Sequence, residues 1–332
     1  MRTALWMNRL IFVPTRSKER CARVTKIPIY YSNKAVLKSI CVIHLSIMLY
    51  ACDSGATEET VAPSPNQSGS IQSPVDLGAA SEQEPAEERY KPAVDSSWQW
   101  QLQGSINTGY DVDVYDIDLF DTPAQTFQQL QSQGKGVICY FSAGTFENWR
   151  TDAGAFPAEA IGTALGDFPA ERWIDIRSEP VRQVMRARLE LAKQRGCDAV
   201  EPDNVDGYTQ NSGFTLTASD QLDYNAWLAL TAHELGLGVG LKNDTDQVLQ
   251  LVDAFDFAVT EQCFEYDECE RYTPFIDAGK PVFNTEYPPL PIADAQSFIG
   301  LCEESARLGL TTLIMPILLD DSFRIDCADV VR

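Results

Sequence analysis

From residue 96 onward, short apolar runs of strand length alternate with longer amphipathic stretches. The apolar runs fall at 112–119, 136–143, 172–176, 197–204, 237–243, 257–263, 281–287 and 311–317. Helical periodicity fills most of the gaps, at 123–133, 179–195, 217–235, 246–255, 271–278 and 293–308. Gly134, Gly196, Gly236, Gly279 and Gly309 each stand where a helix would stop and an apolar run begin. Eight such units in about 240 residues have the size and rhythm of an α/β fold of the (β/α)8 TIM-barrel type. A doubly wound open sheet is the main competitor. It would carry a Gly-rich phosphate loop after its first strand, and the sequence has none. Trp98-Gln99-Trp100-Gln101-Leu102 precedes the first apolar run. The reading for it is a segment that closes the amino-terminal face or lines the cleft.

The carboxyl ends of the expected strands are polar where the strand interiors are not. They carry Asp118 and Asp121, Tyr140 and Ser142, then Glu201-Pro202-Asp203-Asn204-Val205-Asp206-Gly207-Tyr208. Lys242 and Asn243, Glu261, Asn284 and Glu286, and Asp320 follow. A barrel builds its site at that end, and burying so many ionisable groups without purpose would be costly. Asp111, Asp113, Asp244 and Asp321 read instead as solvated loop carboxylates.

Charge divides the chain. Nine Lys and Arg against one acidic residue give residues 1–51 a net +8, so the remainder carries −30 of the overall −22. That surface repels nucleic acid and anionic membrane and attracts polycations; it also serves plain solubility outside a cell. Lys34 and Lys38 followed by the apolar 40–50 resemble an export signal too short for a stable span. Leu49-Tyr50-Ala51-Cys52 resembles a lipobox with Cys52 as the lipidated residue, although Tyr50 is atypical there. Residues 52–95, rich in Ser, Pro, Gln, Ala and Glu, read as a disordered acidic linker. The globular domain is expected at 96–332, exported as a cell-surface or periplasmic lipoprotein or secreted outright, and monomeric. Its six cysteines suggest disulfides, with Cys263 and Cys269 as the local pair.

Other chemistries lack their residues. Beyond the leader there is one histidine, His233, inside an expected helix, where it reads as a packing or surface residue. A Ser-His-Asp triad or a His-rich zinc site is therefore disfavoured. The aspartates of 111–121 lack the central Gly and terminal Glu of an EF-hand loop, and no P-loop or basic stripe is present. No cofactor is expected. What remains is acid/base work by Asp and Glu, as in glycoside hydrolysis.

The same exits resemble a known family. Trp98 to Leu102, Tyr115 to Asp121, Cys139 to Gly144 with Glu147, Trp149 and Arg150, Glu201 to Tyr208, Leu241 to Asn243, and Glu261 to Cys269 occur in the order found in glycoside hydrolase family 114. These are the endo-α-1,4-polygalactosaminidases. The resemblance implies a (β/α)8 fold and cleavage of α-1,4-linked galactosamine polymers. It also implies that an Asp after the fourth strand and a Glu after the sixth do the chemistry, which by position are Asp203 and Glu261, with Asp206 as runner-up for the first role. On this reading Asp203 is the nucleophile and Glu261 the acid/base of a retaining mechanism. Carboxyl groups about 5 Å apart would support retention and roughly 6.5–9.5 Å inversion. Lys242 either supports Asp203 by its charge or forms a structural ion pair. Tyr140, Tyr208 and Trp149 would stack on sugar rings or pack the rim. Asp118, Asp121, Ser142, Asn204, Asp206 and Glu286 would hold hydroxyl and ammonium groups of a cationic amino sugar polymer. Two alternatives stay open: a carbohydrate-binding lipoprotein without activity on the same fold, and a glycosidase for another amino sugar polymer.

Overall fold

The structure is a computed structural model; it describes residues 89–166, 168–289 and 294–332. The expected leader, the lipobox-like stretch with Cys52 and most of the expected linker lie outside the described residues. No helix among the described residues is long and apolar enough to cross a membrane.

Twelve strands are described: β1 Trp98–Gln101, β2 Val114–Asp118, β3 Gly136–Ser142, β4 Thr145–Glu147, β5 Ile161–Leu165, β6 Phe168–Ile174, β7 Ala199–Asp203, β8 Gly238–Lys242, β9 Phe257–Glu261, β10 Val282–Glu286, β11 Thr311–Ile314 and β12 Ile325–Asp326. Their order in the main sheet is β1-β2-β3-β7-β8-β9-β10-β11-β12. The first eight of these pair in parallel, and the short β12 is antiparallel to β11. The ends of the sheet meet where Trp98 Nε1 donates to the Thr311 carbonyl, and the Leu102 N–H to that of Leu319. This is a (β/α)8 barrel.

Two expectations are corrected by this topology. Residues 172–176 do not form a barrel strand: Arg172 lies in β6, part of a separate antiparallel sheet of order β4-β6-β5. The first barrel strand is instead β1, the Trp-Gln-Trp-Gln segment, paired with β2 from Trp98↔Val114 onward. The run is short and its outward residues are glutamines, so its periodicity is strand-like but its composition is not apolar throughout. The two shifts cancel. β7 is still the fourth barrel strand and β9 the sixth.

Strand parity then decides which side chains face the barrel axis, because successive residues alternate between faces. Trp98 and Trp100, Val114, Ile138, Ala199, Phe257 and Val259, Phe283 and Leu313 share one cluster inside the barrel. The intervening Tyr115, Ile117, Val137, Cys139, Val200, Val239, Leu241, Ala258 and Val282 pack outward against the helices. The chief helices are α1 Ala124–Ser132, α2 Glu179–Arg195 and α3 Ala218–Glu234. α2 buries Val181, Val184, Met185, Arg188, Leu189 and Ala192, one face at helical spacing. α3 opens on a capping box, Thr217 with Asp220. Of the later helices, α6 Ile299–Leu308 is about as long as α1, and α4 Val248–Leu251, α5 Thr273–Asp277 and α7 Cys327–Val330 are short. No helix follows β1. All five helix-stop glycines named above adopt positive φ, between 68° and 85°, the region that a Cβ disfavours.

Three disulfides join Cys139 to Cys197, Cys263 to Cys269 as expected, and Cys302 to Cys327. Arg89 and Tyr90, just ahead of the expected domain start, lie at the amino-terminal end of the barrel strands. Arg89 pairs with Asp256, which also meets His233 Nε2 at 2.8 Å. The Tyr90 ring and carbonyl fill the space where Gly136 and Gly238 carry no side chain.

Candidate active site

At the opposite, carboxyl end, parity stacks β7 as Ala199 deep, Glu201 at mid-height and Asp203 at the rim, all on the inner face. β8 brings Lys242 and β9 brings Glu261 to the same rim. Lys242 is 1 % exposed, so its ammonium cannot be left to water. Its Nζ lies 2.9 Å from Glu201 Oε1, 3.0 Å from Asp203 Oδ1 and 3.1 Å from Glu261 Oε2. It also sits 4.8 Å from the centre of the Trp100 ring. Burial alone would drive the ammonium to lose its proton. The surrounding carboxylates prevail, led by Asp203, and hold its pKa well above the usual lysine value.

The two rim carboxylates are each held by a second donor. Tyr140 donates to Asp203 Oδ2 at 3.1 Å, and Tyr287 donates to Glu261 Oε1. Burial, and then the adjacent carboxylates, push both phenols well above the ordinary tyrosine value, so they remain neutral donors. Asn204 takes a left-handed conformation, φ 61°, immediately after the strand. That turn aims its N–H at Asp203 Oδ1, 2.7 Å away, and its amide at Asp203 Oδ2, Ser142 Oγ and Glu171.

A cavity of 270 Å³ opens over this group. Trp100, Tyr140, Asp203, Lys242 and Glu261 form its floor, and Phe168 and Ile317 stand on its lips. A second cavity of 510 Å³ continues from it past Tyr140 and Glu171 toward Asp118, Asp121, Trp149 and Arg150. Together they make a groove with polar walls.

The expected site residues divide by where they sit. Asp203, Glu261, Tyr140, Lys242, Asn204 and Asp206 all line the first cavity. Asp206 is raised, by burial first, and is held by Gln210 Nε2 at 3.0 Å. Asp118 and Asp121 belong to the second cavity, where Arg150 grips both, at 2.7 Å and 3.0 Å, and also Glu147 at 2.9 Å. Three expected residues line neither cavity. Ser142 is fully buried and supports Asn204. Tyr208 turns its hydroxyl toward Asp244. Glu286 lies on the outer face of β10, accepting from the Phe264 N–H and the Asn284 amide. One residue on, Tyr287 takes the inward place. Trp149 is 51 % exposed on the rim of the second cavity.

Asp244 and Asp321 are not solvated loop carboxylates. Asp244 is buried beside Asn225, and burial raises it to about 8. Asp321 accepts from Gln99, Asn107 and Tyr110. The sequence reading also passed over Asp116, Glu201, Tyr287 and Glu171 as site residues. Parity with Asp203 and Asp118 could have marked Glu201 and Asp116 as inward-facing. Nothing in the strand pattern marks Glu171, which comes from the β5–β6 hairpin.

Comparison with known proteins agrees with the fold. The family model described as glycoside-hydrolase family GH114 matches residues 78–332. Among solved structures, that of Aspergillus fumigatus Ega3 in complex with galactosamine is 38% identical, with TM-score 0.68, over 74% of this chain and 100% of that one. The glycoside hydrolase domain of PelA from Pseudomonas aeruginosa is 13% identical with TM-score 0.55, over 68% of this chain and 96% of that one, a likeness of fold. A search of curated proteins finds no match.

Proposed function

The chain belongs to glycoside-hydrolase family GH114, and from that premise we propose that it cleaves α-1,4-linked galactosamine polymers within the chain, with retention. The observation that carries the mechanism is the shared ammonium. Oxygens of Asp203 and Glu261 lie 3.0 and 3.1 Å from one nitrogen. Two oxygens so close to one nitrogen lie no more than about 6 Å apart, below the roughly 6.5–9.5 Å of inverting pairs. Asp203 attacks the anomeric carbon as the glycosidic bond breaks. Glu261 gives its proton to the departing oxygen, and a glycosyl ester forms on Asp203. Glu261 then takes a proton from water, the hydroxide attacks the anomeric carbon, and Asp203 leaves as carboxylate. Tyr140 and Asn204 hold Asp203 in line, and Tyr287 fixes the rotamer of Glu261.

The groove supports endo action, since its second cavity runs on beyond the carboxylate pair. Ega3 binds galactosamine, and a cationic sugar suits a cleft lined by Asp203, Asp206, Glu171 and Glu261 in a chain of net charge −22. The test is reducing-end release from partly and fully deacetylated α-1,4-galactosamine oligomers. Wild type should release short oligomers, and Asp203→Asn and Glu261→Gln, both folded, should lose at least about a thousandfold in kcat. Release that survives either change would sink the assignment. Binding without release would favour the binding-protein reading.

We also propose that residues 1–51 are an export leader and that Cys52 carries lipid, placing the enzyme at the cell surface or in the periplasm. Mass spectrometry of the mature protein decides this: a diacylglyceryl adduct on Cys52 supports it, and an unmodified Cys52 refutes it.

A further inference from the structure

Beneath the rim lie two carboxyl groups that reach neither cavity. Asp116 is inward-facing at the middle of β2, and Glu201 is inward-facing at the middle of β7, two strands round the barrel; both are fully buried. Neither Asp116 oxygen meets an N–H or hydroxyl donor. Both Glu201 oxygens are likewise without a hydrogen-bond donor of ordinary geometry, and the carboxyl that Asp116 faces is that of Glu201. Two carboxyl groups bond to each other only if one carries a proton. Glu201 touches the Lys242 ammonium at 2.9 Å, so Glu201 is the ionised partner and Asp116 the neutral acid. Burial raises both, Asp116 well above its usual value and Glu201 to about 7.

The other groups facing this pair are few. They are Lys242 on β8, Asp203 on β7, Glu261 on β9, and the neutral phenols of Tyr140 on β3 and Tyr287 after β10. Lys242 is the cation that serves them all.

We propose that Asp116 and Glu201 act as a positioning pair: Asp116 donates to Glu201, and the single buried negative charge that results anchors Lys242 beneath Asp203 and Glu261 and absorbs part of its field. This rests on the assignment of Asp203 and Glu261 as the reacting carboxyls. The consequence concerns the balance between them. A retaining pair needs one carboxyl ionised and the other protonated at the same pH. An ammonium acting on both without a counter-charge would favour ionisation of both. Glu201, 2.9 Å from the ammonium, offsets that field from below.

Glu201→Gln tests the pair because it keeps the shape and removes the charge. Both limbs of its pH–activity profile should move to lower pH, by roughly one unit, the size of shift that a nearby charge brings. At the pH of the wild-type alkaline limb, kcat should fall about tenfold while KM changes by less than about twofold. Asp116→Asn, which keeps a neutral donor against Glu201, should lower kcat less and leave both limbs where wild type has them. A folded Glu201→Gln whose profile superposes on that of wild type would overturn the proposal. So would an Asp116→Asn profile displaced like that of Glu201→Gln.

The protonation of Asp116 can be read with neither substrate nor variant. In 13C carboxyl titrations of the wild-type protein, Asp116 should be protonated at pH 7, and Asp116 found ionised there would overturn the pair. A chain that cleaves no galactosamine polymer yet shows a protonated Asp116 would refute the proposed substrate and leave the pair standing.

Discussion

Lys242 shows how one side chain can organise a site. Its ammonium is the counter-charge for Glu201, Asp203 and Glu261 together. Lys242→Met would leave three carboxyls without it, and breaking a buried ion pair costs about 3–5 kcal/mol. Thermal unfolding should show a large drop in Tm, and a variant as stable as wild type would mean that the carboxyls are held by other groups. Tyr287→Phe is a finer probe. It removes one hydrogen bond to Glu261, of a class worth about 1.5–3 kcal/mol. The variant should fold normally and lose roughly ten- to a hundredfold in kcat; unchanged kcat would dismiss Tyr287 from the mechanism. At this scale the sequence carried much of the site. Asp203, Lys242 and Glu261 were readable as residues of one rim because each stands at the polar exit of an apolar run, and the family resemblance singled out Asp203 and Glu261 among them. Glu286 and Tyr287 were not, because a strand end alone does not say which of two neighbours turns inward. Glu201 stood in the motif without a role, and Asp116 was hidden for another reason. A buried acid is the residue that burial patterns teach a reader to discount.

The elements were readable wherever apolar periodicity and glycine stops coincided. α2 spans 179–195, where both signals predict it. The expected helices at 246–255 and 271–278 shrink to α4 and α5, each preceded by a 3-10 turn. Between β3 and α2 the periodic signal misled, because β5 and β6 are also strands. A hairpin strand and a barrel strand have the same period, and only pairing partners distinguish them. That excursion supplies Glu147, Trp149, Arg150 and Glu171, and thus one wall of the groove. It meets the exit of β7 at Gly144, where an added Cβ would fall 1.6 Å from the Asn204 carbonyl oxygen. Gly144→Ala must therefore push the β3 exit away from the β7 exit. The expected result is a kcat loss of about tenfold or more, because small displacements at a reacting centre are costly. Wild-type activity in the alanine variant would show that the two exits can separate without harm.

For the molecule as a whole, the buried carboxyls set how stability depends on pH. Glu147 is raised to about 7 and Asp244 to about 8, in each case chiefly by burial. The unfolded chain releases these protons near pH 4 to 4.5, while the folded protein keeps them until about 7 to 8. Between those limits the native state binds more protons, so stability falls as pH rises through the window. Asp113 and Asp256 are lowered, the first by its bonds to Ser97 and the second by His233 and Arg89 against its burial. Their contribution disappears as pH falls below the usual carboxylate range. Tm should therefore peak on the acid side of neutrality and be lower at pH 8 than at pH 5.5; a Tm that rises steadily to pH 8 would contradict the burial of these acids.

The Cys139–Cys197 disulfide closes a loop with a sequence separation of 58, worth about 4 kcal/mol in the chain-entropy account. That loop contains the whole β4–β6 excursion, whose turn carries Phe168 at 56 % exposure. A protease cutting that turn would sever the backbone, yet the cut would fall inside the closed loop. The two other disulfides lie wholly on its carboxyl side. A clipped molecule would run as one species on a non-reducing gel and as two after reduction. In a milieu rich in proteases, the groove wall could be nicked without the barrel losing either half of its active site.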